Sequence, residues 1–467
     1  MPPKRRGRPP KQQPDQPVDD HSADAGSVKA TSPELPKRRD ASKGSSSESD
    51  DNQLDGTLDA EKGLVAAMKP LSLKRKAEHD LDLSSLKRAR CGRVLVFGTG
   101  ECAQLGLTED RTERKFPTPV DLNDRIVSIA CGGLHNIAVT TDGDVWSWGC
   151  NDEKALGRSG DEWIPGKVDM PVPAIKATAG DSHSMALGVD GRVYTWGAYR
   201  DTNGMMGFNP NTGEPCETPI PVFLQGKKVI DIASGVNHSL VLLENGHIYE
   251  WGHIRIGQRV ARHHRMNLLQ PRLVNVRSIG KVVKIFAGAY QSFAVTATGK
   301  VYAFGMNQYG QSGIDGKKKE QLHKPEEVVG VRGRDVVKLA GGLHHSLALL
   351  ADGHVLSFGR NNYGELGMGD LDGRNVPTVV PGLENIVDIA CGSTHSLAVS
   401  RSGEAYSCGF GEMLQLGNGQ AEDRNTFEKV GGQQLDGNDV VACGAGAQHS
   451  VLIVAPRASA SESADAP

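Results

Sequence analysis

Short apolar runs separated by glycine-containing turns recur through most of the chain, from residue 92 to residue 454. Each unit places two such runs around an Asp-Gly, Asn-Gly, Thr-Gly or Ser-Gly pair, or a close variant. This arrangement is typical of a β-hairpin whose turn needs positive φ. The pattern predicts six complete hairpins, in residues 135–149, 183–197 and 238–252 and in units that begin at Gln291, His345 and His395.

The two ends of the repeat each hold half a unit. Gly446-Ala-Gln-His449 and the apolar run after it match a first hairpin strand, whereas Gly92–Gly98 has the spacing of a second strand. One hairpin can bury its faces only against neighbouring units, so the hairpins must stack side by side. Pairing of the two terminal halves would make a seventh hairpin and close the stack into a ring. The repeated histidine position recurs every 48 to 55 residues, which suits one four-stranded blade. The sequence therefore predicts an all-β, seven-bladed β-propeller over residues 91–456.

Composition separates this repeat from an N-terminal tail. Residues 1–90 contain no Phe, Trp or Tyr and carry 18 Lys/Arg against 15 Asp/Glu. Such a segment cannot bury enough apolar surface to offset its chain entropy, so residues 1–90 are expected to be disordered. The same expectation applies to residues 457–467.

Several classes of function find little support in the chain. It has no Gly-rich phosphate loop, no paired metal ligands and no Gly-x-Ser-x-Gly element, which argues against an enzyme and predicts neither a cofactor nor a metal. No apolar run approaches the ~18 residues of a membrane span. The eight cysteines form no Cys-x-x-Cys pair and are expected to be reduced thiols.

Two features of the tail point to nuclear partners. The segment around Lys4, Arg5, Arg6 and Arg8 resembles an AT-hook, which places an extended Gly-Arg-Pro core in the minor groove of A·T-rich DNA. An ordinary solvated basic terminus is the alternative. Two basic clusters ten residues apart have the layout of a bipartite nuclear import signal read by importin, with a flexible charged linker as the alternative. These clusters are Lys74, Arg75 and Lys76, followed by Lys87, Arg88 and Arg90.

The repeat itself resembles a known family. The pattern Gly-x-x-His-Ser-Leu-Ala-Val-x-x-x-Gly-x-Val-Trp-x-Trp-Gly, followed by Gln-Leu-Gly, is similar to the repeat of the regulator of chromosome condensation family over residues 92–454. Residues 150–157, 180–183 and 196–204 are also similar to loops of the family's exchange factors. The resemblance implies a chromatin-associated nuclear protein that promotes guanine nucleotide exchange on the small GTPase Ran.

The resemblance also implies which residues face Ran. The segment from Tyr199 to Met206 would form a β-wedge directed at the phosphate-binding loop of Ran. His345 occupies the repeated histidine position, so a structural role is its alternative. Glu101 stands where the family usually has Asp, and Asn237 replaces a carboxylate. The implied Ran-facing residues are Glu101, Asp181, Tyr199, Arg200, Asp201, Asn237, His344 and His345.

A basic loop, residues 259–266, departs from the repeat. Arg262 and Arg265 are spaced as in the family's loop that meets the acidic patch of core histones on the nucleosome. Guanidinium groups suit carboxylate clusters because of their forked donors, although a solvated insertion is the alternative. For the whole chain, the competing function is a chromatin-binding propeller scaffold without exchange activity.

Overall fold

The structure is a computed structural model of the full chain. It describes residues 83–122, 125–201, 204–207, 214–224, 226–253, 266–276, 278–315 and 319–457. The Lys4 to Arg8 cluster, the Lys74 to Lys76 cluster, Arg262 and Arg265 lie outside the described residues. Among the helices of the described part, none is long and apolar enough to cross a bilayer.

The described chain forms seven four-stranded sheets and a two-stranded hairpin. The elements of the first half are α1 (Ser84–Arg88), β1 (Arg93–Thr99), β2 (Glu113–Pro119), β3 (Ile126–Cys131), β4 (His135–Thr140), β5 (Val145–Gly149), β6 (Gly166–Lys167), β7 (Ala174–Ala179), β8 (His183–Gly188), β9 (Val193–Gly197), β10 (Tyr199–Asp201), β11 (Gly204–Gly207), β12 (Cys216–Pro221), β13 (Val229–Ser234), β14 (His238–Leu243) and β15 (Ile248–Gly252). Those of the second half are β16 (Arg272–Leu273), β17 (Val282–Ala287), β18 (Gln291–Thr296), β19 (Val301–Met306), β20 (Gln321–Glu327), β21 (Val336–Gly341), β22 (His345–Leu350), β23 (Val355–Gly359), β24 (Arg374–Val379), β25 (Ile386–Cys391), β26 (His395–Ser400), β27 (Ala405–Gly409), β28 (Arg424–Lys429), β29 (Asn438–Ala445) and β30 (His449–Pro456). Short 3-10 turns occupy Met266–Leu269, Val329–Val331 and Gln433–Leu435.

Each four-stranded sheet is one blade of a propeller. Blade 1 contains β3 to β6, blade 2 contains β7, β8, β9 and β12, and blades 3 to 6 take the strands from β13 to β28 in groups of four. The closing blade joins β29 and β30 to β1 and β2. Strand β1 pairs with β30 from Arg93 opposite Val454 to Gly98 opposite His449. The predicted seven-bladed propeller, closed by two half-blades, is confirmed.

Burial follows the position of each strand in its blade. The second strand, for example His135–Thr140, is buried at every residue because both faces pack against neighbouring blades. The first strands surround a central channel of about 290 Å³. The outer strands are mostly accessible to solvent; in β24, for example, only Pro377 is buried. The core is thus a series of apolar layers between blades, not one central cluster.

A belt of side-chain hydrogen bonds links every blade to the next. In blade 1, His135 Nε2 lies 2.9 Å from Ser184 Oγ of blade 2. Equivalent bonds join His183 to Ser239, His238 to Ser292, Gln291 to Ser346, His345 to Ser396 and His395 to Ser450. His449 Nε2 completes the circle with Asn136 Oδ1 at 2.8 Å. The repeated histidine is therefore a structural link between blades.

The glycine of each Gly-x-x-His element is required by close packing on that histidine. A Cβ at Gly180 would lie 2.1 Å from Cε1 of His183, and one at Gly235 would lie 2.1 Å from Cε1 of His238. Gly180 N–H also donates to the carbonyl of His183 at 2.8 Å. A larger residue would push the imidazole out of the belt, which explains why the repeat keeps both residues.

The N-terminal boundary differs from the prediction. The last residues of the segment expected to be disordered, 83–90, are described and include α1. Arg90 Nη2 lies 2.8 Å from Asp439 Oδ2 and also 2.8 Å from the carbonyl oxygen of Pro456. Arg457, which the prediction placed in the disordered C-terminus, pairs with the same aspartate at 2.8 Å. Both corrections arise from contacts between residues distant in sequence, which a compositional argument does not include.

Candidate functional site

One face of the propeller carries most of the residues that the resemblance implies would face Ran. Because the strands of each blade alternate in direction, the turn between the first and second strands lies at the same end as the exit of the third strand. We call this end the upper face. It carries Glu101 after β1, Asp181 between β7 and β8, and Asn237 between β13 and β14. It also carries His344, between β21 and β22.

A hairpin, β10–β11, interrupts blade 2 on the upper face. It leaves the end of β9 and precedes the outer strand β12, and Arg200 pairs with Met205 across it. We call residues 199–207 the wedge; residues 202–203 lie outside the described part. No other blade of the described chain forms a separate two-stranded sheet at this position.

The base of the wedge is bonded to both neighbouring blades. Arg200 N–H donates to Asn237 Oδ1 of blade 3 at 2.9 Å. The guanidinium of Arg200 forms an ion pair with Glu153, which belongs to the loop after β5 in blade 1. Asp181, in the turn between β7 and β8, lies close enough to Arg200 and Glu153 for both charges to shift its pKa. Asp181, Arg200 and Asn237 are thus brought together as one cluster.

The carboxyl group of Asp181 is unusual. It is exposed to water at the mouth of the channel, yet surrounding protein atoms crowd it. This partial desolvation raises the pKa of Asp181; Arg200 opposes the shift and Glu153 reinforces it. Asp181 in turn helps to raise the pKa of Tyr290 in blade 4, which burial raises more strongly. The channel mouth therefore presents a carboxylate that lacks full hydration.

Tyr199 lies beneath the wedge and not on its surface. Its side chain is completely buried, and its ring centroid is 4.2 Å from that of His183. Its hydroxyl oxygen is 2.8 Å from Ser239 Oγ and accepts a hydrogen bond from Trp251 Nε1 at 2.7 Å. A partner on the upper face cannot touch this side chain, so any part it has in binding is indirect.

A second cluster surrounds His344. Its ring lies 4.7 Å from the ring of Tyr309, and the Arg360 guanidinium is 5.8 Å from the rings of Tyr309 and Tyr363. Burial, assisted by the charge of Arg360, lowers the pKa of His344 to about 4. At neutral pH His344 is therefore an uncharged imidazole beside a cation.

The remaining predicted residues are dispersed. Glu101 is exposed in the turn after β1, and Asp201 lies half-buried opposite Gly204 in the wedge. His345 is fully buried in the inter-blade belt, where burial holds its pKa at about 3. Glu153 and Arg360 belong to these clusters, although no sequence pattern indicates a role for either. Glu153 stands in a loop that the resemblance had already singled out, which was the available signal.

In the part of the chain that the structure describes, no group of three or more His, Cys, Asp or Glu side chains is placed to hold a metal ion. The clusters on the upper face consist of charges and aromatic rings that suit recognition of another protein surface.

The propeller is similar in sequence to proteins of a known family. A model of the RCC1-like domain matches residues 93–452. The regulator of chromosome condensation of Xenopus laevis is 36% identical over 389 residues, which cover 78% of this chain and 90% of the relative. This chain belongs to the regulator of chromosome condensation family.

Two yeast relatives extend the comparison. The guanine nucleotide exchange factor SRM1 of Saccharomyces cerevisiae is 30% identical over 59% of this chain and 66% of its own length. The crystal structure of Prp20p from Saccharomyces cerevisiae superposes with a TM-score of 0.75 at 29% identity and covers 83% of this chain and 98% of Prp20p. The family match covers nearly all of the described residues, which agrees with the extent of the repeats in the sequence.

Proposed function

We propose that this protein is a guanine nucleotide exchange factor for the small GTPase Ran and acts on chromatin. The wedge carries this proposal, since it is a separate hairpin on the upper face, held by bonds to blades 1 and 3 within a cluster of charged groups. Family membership supports the assignment, because SRM1 is named as a guanine nucleotide exchange factor. Binding of Prp20p to Gsp1p and to histones has been characterised.

Exchange requires binding energy and no bond-making chemistry. The factor stabilises the nucleotide-free GTPase enough to offset the lost contacts between nucleotide, Mg²⁺ and protein. Coupling is reciprocal, so incoming nucleotide displaces the factor, and the more abundant nucleotide is loaded. A preorganised wedge suits this task because little side-chain freedom remains to be lost on binding.

Each part of the upper face has a role in this proposal. The wedge, with Arg200 and Asp201, enters the region of the GTPase that holds the phosphates. Asp181 and Glu101 present carboxylates to a basic partner surface, where incomplete hydration of Asp181 lowers its desolvation cost. His344 supplies an uncharged contact beside Arg360. Tyr199 and His345 are buried and act through their neighbours.

Chromatin and import partners are assigned to other segments. We propose that Lys4, Arg5, Arg6 and Arg8 bind DNA, that Arg262 and Arg265 bind core histones, and that importin reads the two basic clusters. In this proposal the protein resides in the nucleus on chromatin. Yeast RCC1 (Prp20) has been solved bound to Kap60. Unchanged nucleosome affinity after combined Arg262→Ala and Arg265→Ala substitution would refute the histone assignment.

The test of exchange is the release of a fluorescent GDP analogue from Ran in excess unlabelled nucleotide. Addition of the purified chain is expected to accelerate release by orders of magnitude over the spontaneous rate. Unchanged release, together with retained nucleosome binding, would favour the scaffold alternative and would refute the exchange proposal.

A further inference from the structure

The inter-blade belt follows one rule in five blades of the described chain, and blade 3 departs from it. In those five blades the residue after the belt histidine donates to the backbone carbonyl of a loop in the preceding blade. Ser184 Oγ donates to the Ala155 carbonyl at 2.8 Å, and Trp196 Nε1 shares that acceptor at 2.8 Å. The same bond joins Asn136 to Gln104, Ser346 to Gln311, Ser396 to Glu365 and Ser450 to Gln415.

Blade 3 makes the exceptional contact. Its belt serine is Ser239 and its third-strand tryptophan is Trp251, the counterparts of Ser184 and Trp196. Both hydrogen bond to the hydroxyl of Tyr199, at 2.8 Å and 2.7 Å. The residue that corresponds to Ser239 in blades 1, 2, 5 and 6 and in the closing blade uses a backbone carbonyl instead. A phenol oxygen has therefore taken the place of the loop carbonyl.

The wedge accounts for this replacement. Each loop carbonyl belongs to a four-residue stretch whose first residue has positive φ and whose last is a glycine with positive φ, such as Gly364 to Gly367, and the counterpart in blade 2 is Gly204 to Gly207. In that counterpart, Met205 is half-exposed and pairs with Arg200 in the hairpin, whereas Gln311 and Glu365 are buried at the equivalent place. Building the wedge moves this stretch outward, and Tyr199 supplies an acceptor to the belt.

From this geometry we infer that the Tyr199 hydroxyl is a positioning group that ties the first strand of the wedge to the inter-blade belt. The inference rests on the proposed exchange function, since it assigns the origin of the wedge's orientation. The next residue, Arg200, donates its N–H to Asn237 Oδ1 at 2.9 Å. Two successive residues are thus fixed, one through its side chain and one through its backbone, so the direction in which the hairpin leaves the face is determined.

Removal of the Tyr199 hydroxyl alone distinguishes a positioning role from a simple packing role. Phenylalanine at position 199 would keep the ring contact with His183 at 4.2 Å. It would remove the acceptor of the Trp251 indole N–H, whereas Ser239 would keep its belt bond to His183 Nε2. Buried donors without partners are costly, so the strand is expected to shift toward any alternative acceptor.

The experiment compares Tyr199→Phe with Ser450→Ala, which removes an equivalent belt hydroxyl in the closing blade. Both variants should lower the melting temperature. Only Tyr199→Phe should reduce the maximal rate of GDP release from Ran, by about tenfold, with less than about a twofold change in the Ran concentration for half-maximal rate. Hydrogen–deuterium exchange of residues 200–206 should increase in Tyr199→Phe alone.

The outcomes separate the two proposals. If the wild-type chain fails to accelerate GDP release, the exchange function is wrong, yet increased deuterium uptake in the wedge of Tyr199→Phe would still support the tether. If wild type is active and Tyr199→Phe matches it in both maximal rate and deuterium uptake, the positioning role is overturned. Equal losses of rate in Tyr199→Phe and Ser450→Ala would also overturn it, because the belt as a whole would then be responsible.

Discussion

At the scale of single residues, the upper face depends on how each polar group is supported. Asn237 was identified as a departure from the family pattern because it lacks a carboxylate. Its Oδ1 nevertheless accepts the backbone N–H of Arg200 at 2.9 Å. The hydrogen bond that braces the wedge is therefore kept, while the charge that the family usually places there is absent.

Asn237→Asp is expected to increase the rate of GDP release from Ran severalfold. Aspartate retains an acceptor for the Arg200 N–H and adds a negative charge that attracts a basic partner surface. The control is Asn245→Asp, on an exposed hairpin turn at the opposite end of blade 3. A rate that does not rise above wild type would show that the missing charge has no effect on exchange.

At the scale of elements, the hairpins followed from the sequence and the wedge anchor did not. Alternation of apolar runs around turn glycines is local information, so β4, β5, β8 and β9 could be predicted directly. The ring contact and hydrogen bonds of Tyr199 depend on His183, Ser239 and Trp251. No pattern in residues 199–207 indicates that the tyrosine is buried under the hairpin.

Helix α1, at the boundary of the propeller, is a second element that the sequence did not predict. A basic, polar segment of this composition is expected to stay unfolded, because it buries little apolar surface. Here Arg90 reaches Asp439. Burial raises the pKa of that carboxyl, but the hydrogen bonds and charges of Arg457 and Arg90 outweigh it, so the pKa is lowered. Single long-range ion pairs of this kind are invisible to composition and spacing.

The candidate site was also predictable only in part. The family resemblance led to Asp181, Arg200 and His344, and the structure shows that Asp181 and Arg200 belong to one cluster. Arg360 was not predicted, because it lies outside the loops at residues 150–157, 180–183 and 196–204 that carry the resemblance. Its importance emerges only from its position over the rings of Tyr309 and Tyr363.

At the scale of the whole molecule, the belt joins seven blades through buried neutral side chains. Burial lowers the pKa of His135 and His238 to about 4, and that of His345, His395 and His449 to about 3. An unfolded histidine titrates near its ordinary value of about 6.5. Between these values the unfolded chain binds more protons than the folded one, so stability falls as pH falls.

The free energy of unfolding is therefore expected to decrease steeply between pH 6.5 and pH 5, with a limit of about 1.4 kcal/mol per pH unit for each belt histidine. Urea unfolding at a series of pH values measures this slope. His449→Gln should reduce the slope, since the chain already accommodates Gln291 at the equivalent position. Equal stability at pH 7 and pH 5 would contradict the neutral belt.

The central claim is that the braced wedge makes this propeller an exchange factor, and GDP release from Ran at substoichiometric amounts of the chain tests it most directly. Wild type should discharge an excess of Ran, and Arg200→Ala should be slower by about tenfold or more because the pair with Glu153 is lost. Arg192→Ala, an exposed arginine in the hairpin turn at the opposite end of blade 2, should behave as wild type. Release that is no faster than the spontaneous rate, or that is equally fast with Arg200→Ala, would contradict the account.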